Sequence, residues 1–124
     1  MIYITALDHI SLAMPVGGEA EARAYFSDLL GLSEIAKSDD GNRPDGCWFD
    51  LGDQQLHLLI DEAFSPTKRA HPAFVIDDLD GLRARIAEKG FSITLFRPSE
   101  GRERFFSEDP FGNRIEFISP RERI

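Results

Sequence analysis

The chain has 124 residues and a formal charge of −8, with 22 acids against 14 bases, the size of one ordinary domain and too short for two large ones. An apolar content of 42% with ten Phe describes a packed chain and not a disordered one, and the excess of acid argues against a nucleic-acid or anionic-membrane partner. Cys47 is the one cysteine, so an intrachain disulfide framework and a multi-cysteine zinc site are both excluded.

The opening residues, MIYITALDHISLAM, carry Asp8 and His9 and have neither a basic start nor a small-residue cleavage motif. No apolar run approaches the ~18 residues of a membrane span. A cytoplasmic location is expected. Residues 7–13 (LDHISLA) predict a strand, and residues 19–31 (EAEARAYFSDLLG) an amphipathic helix that stops at Gly31. Short strands are expected at 33–37, 46–51 and 55–60, followed by a polar bridge, DEAFSPTKRA, ending at Ala70. The pattern then restarts. Residues 71–76 (HPAFVI) predict a strand, and Asp77 or Asp78 caps a helix, DLDGLRARIAEKG, that closes at Gly90. Strands at 91–96, 103–108 and 114–118 follow, with DPFGN as the turn between the last two.

Gly31 and Gly90 lie 59 residues apart, as do His57 and Glu116, and His9 and His71 lie 62 apart. The matched order predicts a duplicated βαβββ module, about 1–62 and 71–124, within a single α+β domain spanning 1–124. Strand periodicity places His9, His57, His71 and Glu116 each opposite in parity to apolar neighbours, on the face away from a packed helix. All three histidines of the chain thus fall on strands at one kind of position, with a glutamate at the fourth. Imidazole nitrogen and carboxylate oxygen are donors for a borderline divalent metal.

With these residues in place, the chain resembles the vicinal oxygen chelate superfamily, the group that holds glyoxalases, bleomycin-resistance proteins and extradiol dioxygenases. The similarity runs from LDHISLAM through ARAYFSDLLGL, GDQQLHLLI and HPAFVIDDLDGLRARIAEKG to FSEDPFGNRIEFI, with DHISL and DPFGNRIEF as its most specific parts. It implies paired βαβββ modules forming a curved mixed sheet around a metal cavity. It implies as ligands His9 and His57 from the first module, with His71 and Glu116 from the second. The fosfomycin-modifying enzymes and extradiol dioxygenases of the superfamily use a triad corresponding to His9, His71 and Glu116, without His57. Ala13 and Asp61 stand where glyoxalase I proper carries Arg and Asn, and Asp61 repels a glutathione carboxylate.

The resemblance implies a glyoxalase-like enzyme that chelates adjacent oxygens of a small substrate on a divalent ion (Zn, Ni, Co, Fe or Mn), with Glu116 moving the proton. Three neutral imidazoles and one carboxylate leave a divalent site near +1, which suits an anionic intermediate. Alternatives are thiol transfer to an epoxide, an Fe(II) dioxygenase, and antibiotic binding without metal. Arg104 is a candidate to hold an anionic substrate, with Arg102 beside it, and Trp48, Phe105 and Phe106 are candidates to line the cavity. Cys47 reads as buried filler. A homodimer is expected, each site taking His9 and His57 from one chain and His71 and Glu116 from its partner.

Overall fold

The computed structural model describes residues 1–37 and 46–122 and divides into two compact units, Met1–Ser65 and Pro66–Ile124. In the first, strand β1 (His9–Met14) leads into helix α1 (Glu19–Ala22), which continues as a π-helical segment over Arg23–Leu29. Strands β2 (Glu34–Ile35), β3 (Cys47–Leu51) and β4 (Gln54–Ile60) follow. The second unit repeats the order with β5 (Ala73–Val75), helix α2 (Leu79–Glu88), β6 (Thr94–Leu95), β7 (Arg104–Glu108) and β8 (Arg114–Ile118).

The sheets have the same topology, β1-β4-β3-β2 and β5-β8-β7-β6. In each, the first strand runs parallel to the last while the other neighbours are antiparallel. The α+β class and the βαβββ module are therefore as the sequence predicts. The strands at 33–37, 71–76 and 91–96 shrink to two, three and two residues. His71 and Pro72 precede β5, although the Glu116 N–H still donates to the Pro72 carbonyl and extends the ladder.

Ala22, Tyr25, Phe26 and Leu29 are the buried residues of the first helix and its continuation, the i, i+3, i+4, i+7 stripe of one helix face. Phe26 meets Phe49 with ring centroids 5.7 Å apart. Leu12, Leu56 and Leu58 share that apolar layer, because β4 pairs Leu56 with Phe49 and Leu58 with both Leu12 and Cys47. The π-type bond from Leu30 N–H to the Tyr25 carbonyl widens the last turn. Both helices stop where glycine permits a left-handed backbone, at Gly31 (φ 83°) and Gly90 (φ 87°). At the second, Phe91 N–H donates to Ile86 O and Gly90 N–H to Ala87 O, the paired bonds of a Schellman stop. Asp78 caps α2 by accepting from Gly81 N–H at 3.0 Å. The second unit has its own apolar layer, in which Phe105 lies 5.2 Å and Phe74 6.1 Å from Phe117.

Candidate metal-ligand pairs and an adjoining cavity

The parallel outer pair of each sheet carries the candidate donors at equivalent places. In the first unit β1 pairs Ser11 with His57, and His9 lies two residues earlier. In the second β5 pairs Ala73 with Glu116, and His71 lies two residues earlier. Trp48 and Phe106 occupy matching places on the other side, directly across from His57 and Glu116. Successive residues of a strand alternate faces. All these side chains therefore lie away from the Phe49 and Phe117 layers.

In the second unit the donors touch. His71 Nε2 lies 2.9 Å from Glu116 Oε1, and His71 Nδ1 lies 2.7 Å from the Arg69 carbonyl. A carbonyl only accepts, so Nδ1 carries a hydrogen. Nε2 and the carboxylate therefore face each other across a gap that needs a proton or another cation. A nitrogen and an oxygen ligand at right angles, each about 2.1 Å from an ion, are themselves about 3 Å apart. The donor set and the gap both fit a metal ion. The Arg69 carbonyl fixes the ring as outer partners of ligand histidines do. Arg104 donates to Glu116 Oε2 at 3.3 Å and to the Arg97 carbonyl at 3.1 Å. His71 and Arg104, with Phe106, leave Glu116 only 7% exposed.

The first unit holds its pair differently. The His57 ring lies between Trp48 (centroids 3.8 Å apart, planes 1° apart) and His9 (4.2 Å, 18°). His9 donates from Nδ1 to Asp8 Oδ2 at 2.8 Å, which leaves Nε2 with its lone pair. His57 bonds Gln55 Oε1 through Nε2 at 2.8 Å, so its lone pair is on Nδ1. Imidazole lone pairs lie in the ring plane. Two nearly parallel rings about 4 Å apart cannot both point at one ion, so one must turn out of the stack for both to ligate. His57 is 5% exposed. Burial first, and the charge of His9 second, push its imidazole below the ordinary 6.5.

Among the described residues no three or more His, Cys, Asp or Glu side chains converge. The candidate donors are two pairs, one in each unit. Phe105 is a correction to the expected cavity lining: it pairs with Phe117 on the apolar layer, opposite to Glu116. Arg102 turns from the pair and donates to the Ser119 carbonyl at 2.9 Å. Cys47 is buried, and desolvation raises its thiol above the ordinary 9.0, so it is packed and poorly nucleophilic.

One charged side chain escaped the sequence reading. Arg114 stands two residues before Glu116 on β8 and so on the same face, a signal that parity alone could have supplied. Its guanidinium carbon lies 4.1 Å from the Phe106 ring centre. It faces a cavity of about 410 Å³ lined in part by Thr67, Lys68, Thr94, Phe96 and Phe106. The DPFGN turn builds the wall. Asp109 accepts from the Phe111 and Asn113 N–H groups and from Asn113 Nδ2, each at 2.9 Å. Asn113 Oδ1 in turn accepts from Thr67 N–H at 3.2 Å.

No helix among the described residues is long and apolar enough to cross a membrane. A comparison with curated proteins gives no match. The sequence profile of the Glyoxalase/Bleomycin resistance protein/Dioxygenase superfamily matches residues 6–117. A Bacillus anthracis protein provisionally assigned to the glyoxalase family is similar in structure, with 38% identity and a TM-score of 0.90 over 98% of this chain and 99% of that one. Lactoylglutathione lyase from Agrobacterium tumefaciens is 20% identical, with a TM-score of 0.71 over 95% of this chain and 96% of that one. Fosfomycin resistance protein FosX from Listeria monocytogenes is 17% identical, with a TM-score of 0.75 over 95% of each chain. At those two identities the likeness shows the fold alone. The profile match and the 38% relative decide the matter: the chain belongs to the Glyoxalase/Bleomycin resistance protein/Dioxygenase superfamily.

Proposed function

We propose that the protein is a metal-dependent, glyoxalase-like enzyme that moves a proton between adjacent carbons of a small substrate with neighbouring oxygens. The observation that carries this reading is the 2.9 Å approach of His71 Nε2 to Glu116 Oε1, with Nδ1 tied to a carbonyl. His9, at the equivalent place in the first unit, likewise has Nδ1 bonded to an oxygen, which leaves the Nε2 lone pair for an ion. His9, His71 and Glu116 would hold the ion, with His57 as a fourth ligand once its ring leaves the stack. Mixed nitrogen and oxygen donors favour Zn, Ni, Co, Fe or Mn over Mg or Ca. When bound, such an ion acts as a Lewis acid on adjacent substrate oxygens.

The chain's own residues supply the rest. Glu116 is the only carboxylate of the donor set, and its two oxygens are held separately, Oε1 by His71 and Oε2 by Arg104. The Arg104 contact is long, so Oε2 is the oxygen able to take a proton from carbon and return it to the neighbouring carbon. Arg104 keeps the carboxylate aimed and offers its charge to an anionic substrate. Until its ring turns to the ion, His57, packed between Trp48 and His9, holds His9 in place.

The two modules form one domain in this reading. The sites are shared in a homodimer, which brings a pair from each of two chains together. The net charge of −8 disfavours nucleic acid or an anionic membrane as partner, and the protein acts on a small molecule in the cytoplasm in this reading. The stacked His57 favours one second reading, a three-ligand site of His9, His71 and Glu116 that serves thiol transfer or Fe(II) dioxygenation.

Solvent-proton exchange separates the two. Metal-loaded protein in heavy water should introduce deuterium next to the carbonyl of a hydroxy-ketone, and Glu116→Gln should abolish it. Oxygen uptake with catechols and no such exchange would establish the second reading in its place.

A further inference from the structure

We infer that the cavity beside Arg114 seats an oxyanion, so that the substrate carries a carboxylate or phosphonate a few bonds from its chelating oxygens. This deepens the proposed function and rests on it for the role of Glu116, but the cavity stands on its own geometry. About 410 Å³ lies within the ~300–1,000 Å³ typical of small-molecule sites. Lys68 and Arg114 supply two positive charges at its wall, and Glu108 one negative charge. Glu108 lies directly across the ladder from Arg114, yet among the described residues Arg114 forms no ion pair. Its guanidinium donates to the Lys68 carbonyl at 3.3 Å and lies over Phe106, which leaves further donors of the fork for an oxyanion.

The cations do not lie there by accident of a loose loop. Arg114 N–H donates to Thr67 Oγ1 at 3.2 Å, and Thr67 N–H to Asn113 Oδ1 at the same distance. These bonds fasten the segment carrying Lys68 to the start of β8. Phe106 is the wall shared with the donor pair. Its ring meets His71 edge-on at 4.9 Å and pairs with Glu116 across the ladder. Arg114 and Glu116 are two residues apart on one strand, about 6.6–6.8 Å along it. A substrate reaching both therefore spaces its anion from its chelating oxygens by some three to five bonds. Phe96 and Phe106 flank that spacer and favour a flat or apolar one.

The test is an NMR titration of the labelled full-length chain with phenylphosphonate and benzoate, and with benzyl alcohol as neutral control. Both anions should shift the Thr67 and Thr94 amides saturably at millimolar concentration, with the neutral control at least about tenfold weaker. Arg114→Gln should raise the dissociation constant about tenfold and Lys68→Gln, at an exposed position, about threefold. No saturable shift in wild type, or equal affinity for anion and neutral control, would overturn the inference. So would unchanged affinity in folded Arg114→Gln. Zinc titration of the same wild-type samples keeps the two readings apart. Zinc binding without anion binding sinks this inference alone, and anion binding without zinc binding leaves the oxyanion seat standing while the metal reading falls.

Discussion

Replacing Asp109 by Ala removes the acceptor on which the β7–β8 turn is built. Three hydrogen bonds go with it, from the Phe111 and Asn113 N–H groups and from Asn113 Nδ2, each now at 2.9 Å from the carboxylate. At a net ~1 kcal/mol per hydrogen bond the loss is about 3 kcal/mol, reduced somewhat because a buried carboxylate no longer has to be desolvated. A net cost of about 2–3 kcal/mol in a chain of this length lowers Tm by roughly 8–12 °C. Burial raises the Asp109 carboxyl above its ordinary 3.8, against the opposing hydrogen bonds from Asn113 and Phe111. A carboxyl whose folded value exceeds its unfolded one gives its full contribution below the unfolded value and loses it as pH rises through the folded one. The gap between wild type and Asp109→Ala is therefore widest in acid. Thermal melts followed by circular dichroism from pH 3 to 7 measure both effects, and amide exchange at Thr67 reports whether the wall of the cavity has come loose. A Tm within about 3 °C of wild type, or a gap that widens toward pH 7, refutes this account of the turn.

His57→Ala separates ligand from support: a loss of metal affinity comparable to that in His71→Ala makes His57 a ligand, whereas full metal occupancy with reduced turnover leaves it holding His9 in place. The four-ligand reading predicts the first outcome, and the three-ligand reading, which the stacked geometry favours, predicts the second. The depressed His57 imidazole contributes stability above pH 6.5 that is lost as pH falls below it toward the folded value. Denaturant melts of metal-free protein should show that slope, and His57→Gln should flatten it. Mixing His9→Ala chains with Glu116→Ala chains should restore metal binding if sites are shared between chains, because each hybrid dimer then keeps one intact site. With exchange verified and nothing restored, each site belongs to one chain.

Much of the fold was legible because it rests on local signals. Gly31 and Gly90 stop helices through a positive φ that other residues resist. Strand parity correctly put Leu56 and Leu58 on one face and His57 on the other. What the sequence could not show was long-range. The sequence alone does not place the His57 ring between Trp48 and His9, because register fixes which residues are neighbours and rotamers fix how their rings meet. The DPFGN segment read as a turn, but its bond through Asn113 to Thr67 spans 46 residues. Arg114 went unnoticed because a strand arginine is ordinarily a solvated one. Its place beside Phe106 depends on β7 lying next to β8.

In the proposed site His71 and Glu116, with His9, hold a divalent ion. Isothermal titration of chelator-treated protein with zinc measures it most directly. About one ion per chain should bind, with binding lost in both His71→Ala and Glu116→Ala while their melts show folded protein. No binding by wild type, or undiminished binding by folded Glu116→Ala, would contradict it.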